Sequence, residues 1–246
     1  DGFTVIMDYY RDSEDGQAQA DLNRLMDGTF SNQETGMPEG TVHSELLRRP
    51  GKLYVLASHF HPDHFNKEVL QWREQRPDII YIFSKDILRH RRAQKEDAVW
   101  LKKGEEYKDE TLSVRAFGST DVGVSFLLQA SGKKIFHAGD LNNWHWMDES
   151  TEAEWKGAEK NFLHELDDLY AYTPEVDVAM FPVDPRLGKE YMRGAGQFVT
   201  KIKTHIFVPM HFTPEYAKAN AFRDFAEAHG VRFVSLTHRG QKIEIE

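Results

Sequence analysis

Three imidazoles and one carboxylate fall within six residues, His59-Phe60-His61-Pro62-Asp63-His64. They follow the apolar run Leu53–Ala57 and precede a helical pattern that starts at Asn66. Burying so many polar tips without a partner is costly. Imidazole and carboxylate are the donors that borderline divalent metals prefer. His59 and His61 are two apart, so an extended segment points both the same way. Asp63 and His64 lie beyond Pro62, where the chain turns, and face a second point nearby. The spacing suits two neighbouring metals.

The rest of the chain alternates short β-type runs with helical patterns. Strands are expected at Thr4–Asp8, Leu53–Ala57, Ile79–Phe83, Leu112–Phe117, Val124–Gln129, Lys134–His137, Val176–Phe181, Ile206–Val208, Arg232–Leu236 and Lys242–Ile245. Several are apolar on both faces, as buried strands are. Gln129-Ala130-Ser131-Gly132-Lys133 reads as a hairpin turn between two antiparallel strands. Helices are expected at Asn66–Arg76, at Ser150–Tyr170 with Ser150 as N-cap, and at Pro214–Ala228. Weaker ones are expected near Gln19–Met26, Asp86–Arg92 and Met192–Lys203. This interleaving indicates an α/β domain with mixed sheets. No Pro/Gly/Ser-rich linker divides the chain, so residues 1–246 are expected to form one domain. The chain opens at Asp1, inside a strand-like run, and a short preceding piece is expected to be missing.

Composition removes several classes of function. Lys+Arg number 31 and Asp+Glu 40, a net charge of −9. That disfavours a nucleic-acid partner, which calls for clustered positive charge. There is no cysteine, and hence no disulfide, thiolate metal site or cysteine nucleophile. No apolar run reaches the ~18–20 residues of a membrane span, and the first residues do not read as a secretory signal. A cytoplasmic protein with a small-molecule, anionic substrate and no membrane partner is the expectation. A homo-oligomer is compatible with it.

Two later stretches share the strand-end design. Lys134–His137 runs into Gly139-Asp140, and Thr204–Pro209 runs into Met210-His211. Ligands collect at the carboxyl ends of strands in open α/β sheets. The loop after Asp140 carries Trp144, His145 and Trp146, suited to an apolar pocket wall with one polar tip. Arg186, after another strand, could clamp a carboxylate or phosphate, or pair with Asp184. Lys85 and His43 are weaker candidates. The run Arg89-His90-Arg91-Arg92 reads as a solvated helix face.

His59-Phe60-His61-Pro62-Asp63-His64, His137-Ala138-Gly139-Asp140 and His211, in that order, resemble the metallo-β-lactamase-fold hydrolase superfamily. The final Pro-Met-His context and the direct entry of a strand into His-Ala-Gly-Asp look most like its sugar-phosphate lactonase-like branch. The resemblance implies a four-layer αβ/βα sandwich of two mixed β-sheets flanked by helices. It implies that His59 and His61 bind metal one, that Asp63, His64 and His211 bind metal two, and that Asp140 bridges. The cofactor would be one or two divalent ions, zinc first, with manganese, iron and nickel as alternatives. The implied activity is hydrolysis of a small ester, lactone or phosphoester by a metal-activated water. Asp63 would orient that water or carry its proton. His145 would donate to the substrate or leaving group, and Trp144 and Arg186 would contact the substrate.

One position departs from the family. A further histidine at metal one is usual after the strand preceding the hairpin, yet there is none between His90 and His137. Ser119 stands at the expected place. Asp121 or His145 is the candidate replacement; otherwise metal one is weakly held or absent. A non-catalytic metal sensor is the alternative that this departure motivates. A nuclease is a weaker one, because no basic track is visible.

Overall fold

The computed structural model describes residues 2–10, 42 and 44–245. The expected helix at Gln19–Met26 and His43 lie outside the described residues. Along the chain run β1 (Phe3–Met7), α1 (Ser44–Leu47), β2 (Lys52–Ala57), α2 (Glu68–Gln71), β3 (Ile80–Ser84), α3 (Lys85–Arg89), β4 (Val99–Leu101) and β5 (Glu106–Lys108). Then come β6 (Leu112–Phe117), β7 (Ser125–Ala130), β8 (Lys133–His137), α4 (Glu152–Tyr172), β9 (Glu175–Pro182) and α5 (Arg193–Lys201). The last elements are β10 (Lys203–Met210), α6 (Tyr216–Asn220), α7 (Arg223–Ala228) and β11 (Arg232–Phe233).

Two sheets form. One has the order β1-β2-β3-β4, all parallel. The other has the order β11-β10-β9-β8-β7-β6-β5. It is antiparallel from β5 to β8 and parallel from β8 to β11. The period-2 alternation of strand side chains separates the apolar core into clusters, of which three are large. Tyr54 and Leu56 of β2 meet Val114 and Ala116 of β6 and Phe126 of β7 between the sheets. Leu53, Val55 and Ala57, on the opposite face of β2, pack with Phe65 from the following loop and with Val69, Trp72 and Ile87 from the flanking helical segments. The outer face of the larger sheet buries Phe136, Phe181 and Phe207 against Phe162, Leu166, Phe198 and Phe222. The result is a helix/sheet/sheet/helix sandwich, and it explains why β2 is apolar on both faces.

Local signals account for most boundaries. Ser131 and Gly132 both have positive φ (50° and 75°) between β7 and β8, as a two-residue type I′ turn requires. Helix α4 is capped by Thr151, one residue later than expected, in a reciprocal capping box with Glu154. The expected helix Asn66–Arg76 is shorter, α2 running into a 3₁₀ turn at Trp72–Glu74. Pro214–Ala228 breaks into α6 and α7 around Ala221-Phe222. Lys242–Ile245 is not a strand, and β11 ends at Phe233. The short edge strands β4 and β5 have no counterpart among the expected strands; at three residues each they carry too little pattern to read. No described helix is long and apolar enough to cross a membrane.

Candidate metal centre

Six strands deliver the polar residues, each from its carboxyl end. Asp8 follows β1, Ser58 to His64 follow β2, Asp121 lies in the turn after β6, Asp140 follows β8, Asp184 follows β9 and His211 follows β10. Strands β8, β9 and β10 are parallel neighbours, which brings the last three residues to one edge. Two of these residues, Asp8 (φ 46°) and His211 (φ 60°), are in left-handed backbone conformations that non-glycine residues seldom adopt and that cluster at functional sites.

The side chains converge on two adjacent points. At the first, His59 Nε2 lies 3.1 Å from His61 Nδ1 and 3.4 Å from Asp140 Oδ2. Asp121 Oδ2 is 3.6 Å from His61 Nδ1. At the second, Asp140 Oδ1 lies 3.0 Å from His64 Nε2 and 3.3 Å from His211 Nε2. Asp63 Oδ2 is 3.6 Å from the same His64 nitrogen and 3.7 Å from the His211 nitrogen. Ligand atoms of His59, His61, Asp121 and Asp140 all lie within 4.8 Å of one another, and so do those of His64, Asp140 and His211.

The opposite nitrogens of these rings are anchored. His64 Nδ1 donates to Asp8 Oδ2 at 2.7 Å, and His211 Nδ1 to Asp184 Oδ2 at 2.9 Å. His59 Nδ1 meets Ser58 Oγ at 3.0 Å. The single hydroxyl proton of Ser58 goes to Asp8 Oδ2 at 2.6 Å, so His59 Nδ1 must be the donor in that pair. Each anchored ring therefore turns Nε2 toward the cluster, where a metal ion can take the place of a proton. His64 Nε2 and Asp140 Oδ1 are buried and have no hydrogen-bond partner among the described residues. Such a pair repels unless a proton or a metal ion lies between them. A divalent ion fits this donor set.

In the metal-free protein a proton takes that place on His64. Burial opposes the charge of Asp8, but His137 and His64 beside it, and the hydrogen bonds from His64 and Ser58, outweigh that and hold it well below the carboxylate range. Burial likewise opposes the His64 cation, but Asp8 and Asp140 on either side push its pKa up to about 10. Burial, followed by the charge of His64, lowers His59. Asp184 falls to about 2, because hydrogen bonds from His211 and Arg186 overcome its burial. Close backbone packing supports the rim. A Cβ on Gly139 (φ 53°) would stand 2.8 Å from Ser58 Cβ, and one on Gly123 (φ 75°) would overlap the Ser58 carbonyl.

The structure thus brings together His59, His61, Asp63, His64, Asp121, Asp140 and His211. It does not bring His145 with them. That ring is buried; its Nδ1 accepts from the Met147 amide at 3.1 Å and its Nε2 donates to the Glu190 carbonyl at 3.1 Å. Both nitrogens are spent on main chain, so the expected donor role is corrected, and so is its candidacy as the replacement ligand. Trp144 packs edge-on against His211 with centroids 5.5 Å apart and donates to the Asp140 carbonyl at 2.8 Å. It braces the cluster and is not among the cavity-lining residues. Arg186 forms a forked pair with Asp184, its Nε 3.0 Å from both oxygens, and also lines the cavity. Lys85 pairs with Glu105, and the ring of His90 stacks on Phe60 at 3.6 Å.

Sequence reasoning missed two residues, Asp8 and Asp184, the carboxylates behind His64 and His211. Their signal was position alone: each ends a strand adjacent to one that carries a ligand.

A cavity of about 480 Å³ opens beside the second point. Asp8, Asp63, His64, His137, His211 and Arg186 are among its polar lining; Met7, Met210, Phe212 and Leu236 are among its apolar walls.

Comparison with known proteins is consistent with this architecture. Residues 38–212 match the family described as the beta-lactamase superfamily domain. A metallo hydrolase from Ignicoccus hospitalis superposes with a TM-score of 0.54 at 17% identity, covering 78% of this chain and 79% of that one. A candidate metal-dependent hydrolase from Parabacteroides distasonis gives 0.50 at 17% identity, with 80% of each chain covered. The metallo-beta-lactamase fold protein YhfI from Bacillus subtilis gives 0.52 at 12% identity, over 82% and 79%. No curated protein matches the sequence. The family match, over most of the chain, and the shared fold converge on one assignment: the chain belongs to the metallo-β-lactamase-fold superfamily.

Proposed function

We propose that this protein is a metal-dependent hydrolase acting on a small ester, lactone or phosphoester, nearest in kind to the sugar-phosphate lactonase-like branch. The reading is carried by the buried, unpartnered pair His64 Nε2 and Asp140 Oδ1 at 3.0 Å. In this reading Asp63, His64 and His211 would hold one ion, His59, His61 and Asp121 would hold the other, and Asp140 stands between the two sets. Asp121 replaces the absent family histidine. A divalent ion bound there supplies Lewis acidity toward a carbonyl or phosphoryl oxygen and lowers the pKa of a coordinated water to about 7. Zinc is the first candidate, with manganese, iron and nickel as alternatives.

The chain's own groups do the rest. Asp63 is half exposed, 51% of its side chain, and reaches the cavity, so it can orient water and carry a proton between cluster and solvent. Arg186, steadied by Asp184, offers its remaining N–H groups to an anionic substituent of the substrate. Met7, Met210 and Phe212 exclude water around the reacting bond.

The test begins with protein purified without added metal, for which elemental analysis should return about one to two ions per chain. A panel of lactones, phosphodiesters and phosphomonoesters is then assayed with wild type and His61→Ala. Turnover that needs His61 supports the reading. Equal turnover in both removes the cluster from the chemistry. Tight metal binding with no turnover across the panel favours the metal-sensor alternative suggested by Ser119.

A further inference from the structure

The two points of the cluster are alike at the ligand atoms and unlike behind them. Each gathers two imidazoles, one carboxylate of its own and one oxygen of Asp140. At the His64/His211 point, both rings are hydrogen-bonded through their far nitrogens to carboxylates that are buried, Asp8 at 2.7 Å and Asp184 at 2.9 Å. At the His59/His61 point, neither ring is hydrogen-bonded directly to a carboxylate. His59 leans on the hydroxyl of Ser58. His61 turns Nδ1 inward, and its Nε2 makes no hydrogen bond among the described residues. Its side chain is 34% exposed, against 6% for His64 and 12% for His211, whereas the two carboxylates, Asp121 and Asp63, are alike in exposure at 44% and 51%. Asp121 is delivered by a turn in which its amide donates to Ser119 Oγ at 3.4 Å.

These differences act in one direction. A carboxylate behind a ligating imidazole raises its basicity and fixes its orientation, and losing one such partner costs ~10–100-fold in metal affinity. One point has two such partners and the other has none in direct contact. The more exposed His61 ring also loses more conformational freedom than His64 or His211 when it closes on an ion. The second cation to arrive must enter against the charge of the first, across the shared Asp140.

We propose that the two ions are held unequally and in a set order. The His64/His211/Asp63 position fills first and retains its ion. The His59/His61/Asp121 position is the exchangeable one, and its occupancy follows the free concentration of divalent metal. The inference rests on the two-ion reading given above and assigns which position fills second.

The experiment is a titration of the metal-stripped full chain with Mn²⁺, followed by calorimetry and by electron paramagnetic resonance. The first equivalent should give the spectrum of isolated bound Mn²⁺. The second, bound at least ~10-fold more weakly, should give the spectrum of an exchange-coupled pair. Asp121→Ala and His61→Ala alter partly exposed side chains, and thermal melts should show that both stay folded. Both should abolish the second step and leave the first unchanged. A coupled signal at full proportion from the first addition overturns the inference, and so does loss of the first step in these variants with the second preserved. Failure of folded wild type to bind either Mn²⁺ or Zn²⁺ is a different result and removes the hydrolase reading as well.

Discussion

Nδ1 of His211 lies 2.9 Å from Oδ2 of Asp184, a carboxylate with no solvent exposure. That contact settles which nitrogen carries the proton and leaves Nε2 to face Asp140. Asp184→Asn keeps the shape but removes the charge. The expected result is a folded protein whose tighter metal site is weakened by ~10–100-fold. Competition with a chromophoric chelator measures it, and unchanged affinity would show that Asp184 serves only to hold Arg186.

The pH response of the metal-free protein follows from His64. Its folded pKa is raised from 6.5 to about 10 by Asp8 and Asp140 against the cost of burial. Its contribution to stability is therefore fully present below pH 6.5 and is lost as pH rises through about 10. Asp184 has the opposite sign. Lowered from 3.8 to about 2, it contributes above 3.8 and loses that contribution as pH falls toward 2. The melting temperature of stripped protein should decline between pH 6.5 and 10, and bound metal should flatten that decline by displacing the proton. NMR titration of the His64 ring checks the assignment. A ring that titrates near 6.5 would refute it.

Gly123 and Gly132 share φ 75° but differ in surroundings. An alanine Cβ at Gly132 meets open space, so Gly132→Ala should cost only the ~1–2 kcal/mol of a left-handed non-glycine residue, with metal binding intact. At Gly123 the same Cβ would overlap the Ser58 carbonyl and stand 2.5 Å from His59 Cβ. Gly123→Ala should lower stability further and weaken metal binding as His59 is displaced. Paired thermal melts and metal titrations of the two variants decide it.

Phe198 is fully buried, stacked on Phe136 with centroids 5.5 Å apart and tilted against Phe181 at 4.6 Å. Phe198→Ala should cost ~3–5 kcal/mol, because the helix side of the larger sheet loses its central ring. Denaturant unfolding measures the loss. Metal stoichiometry of the remaining folded protein should not change, since the cluster lies at the strand ends.

Much of the cluster was legible because its ligands are local. His59, His61, Asp63 and His64 sit in one loop at the end of a buried strand, where so many polar tips need a cation to offset their desolvation. Asp140 and His211 were legible through the same rule of strand ends. His145 misled because composition cannot show direction: its loop curls back, with the Trp144 and His145 amides bonded to the Asn142 and Asn143 carbonyls, and turns the ring toward Glu190. Asp121 and His145 were indistinguishable as replacement ligands until the fold set one beside His61 and the other away from it.

The order of residues along the chain determined most strands, the turn between β7 and β8 and the imidazole and carboxylate cluster after β2, because each depends on neighbours a few positions away. Tertiary structure alone decided which carboxylates stand behind the imidazoles. Asp8 reaches Ser58 and His64 only because β1 pairs in parallel with β2, across a separation of 50 and 56 residues. Asp184 reaches His211 only because β9 lies beside β10. Parallel strands place the loops at their carboxyl ends side by side however far apart those loops are in sequence, and local pattern contains no record of that pairing.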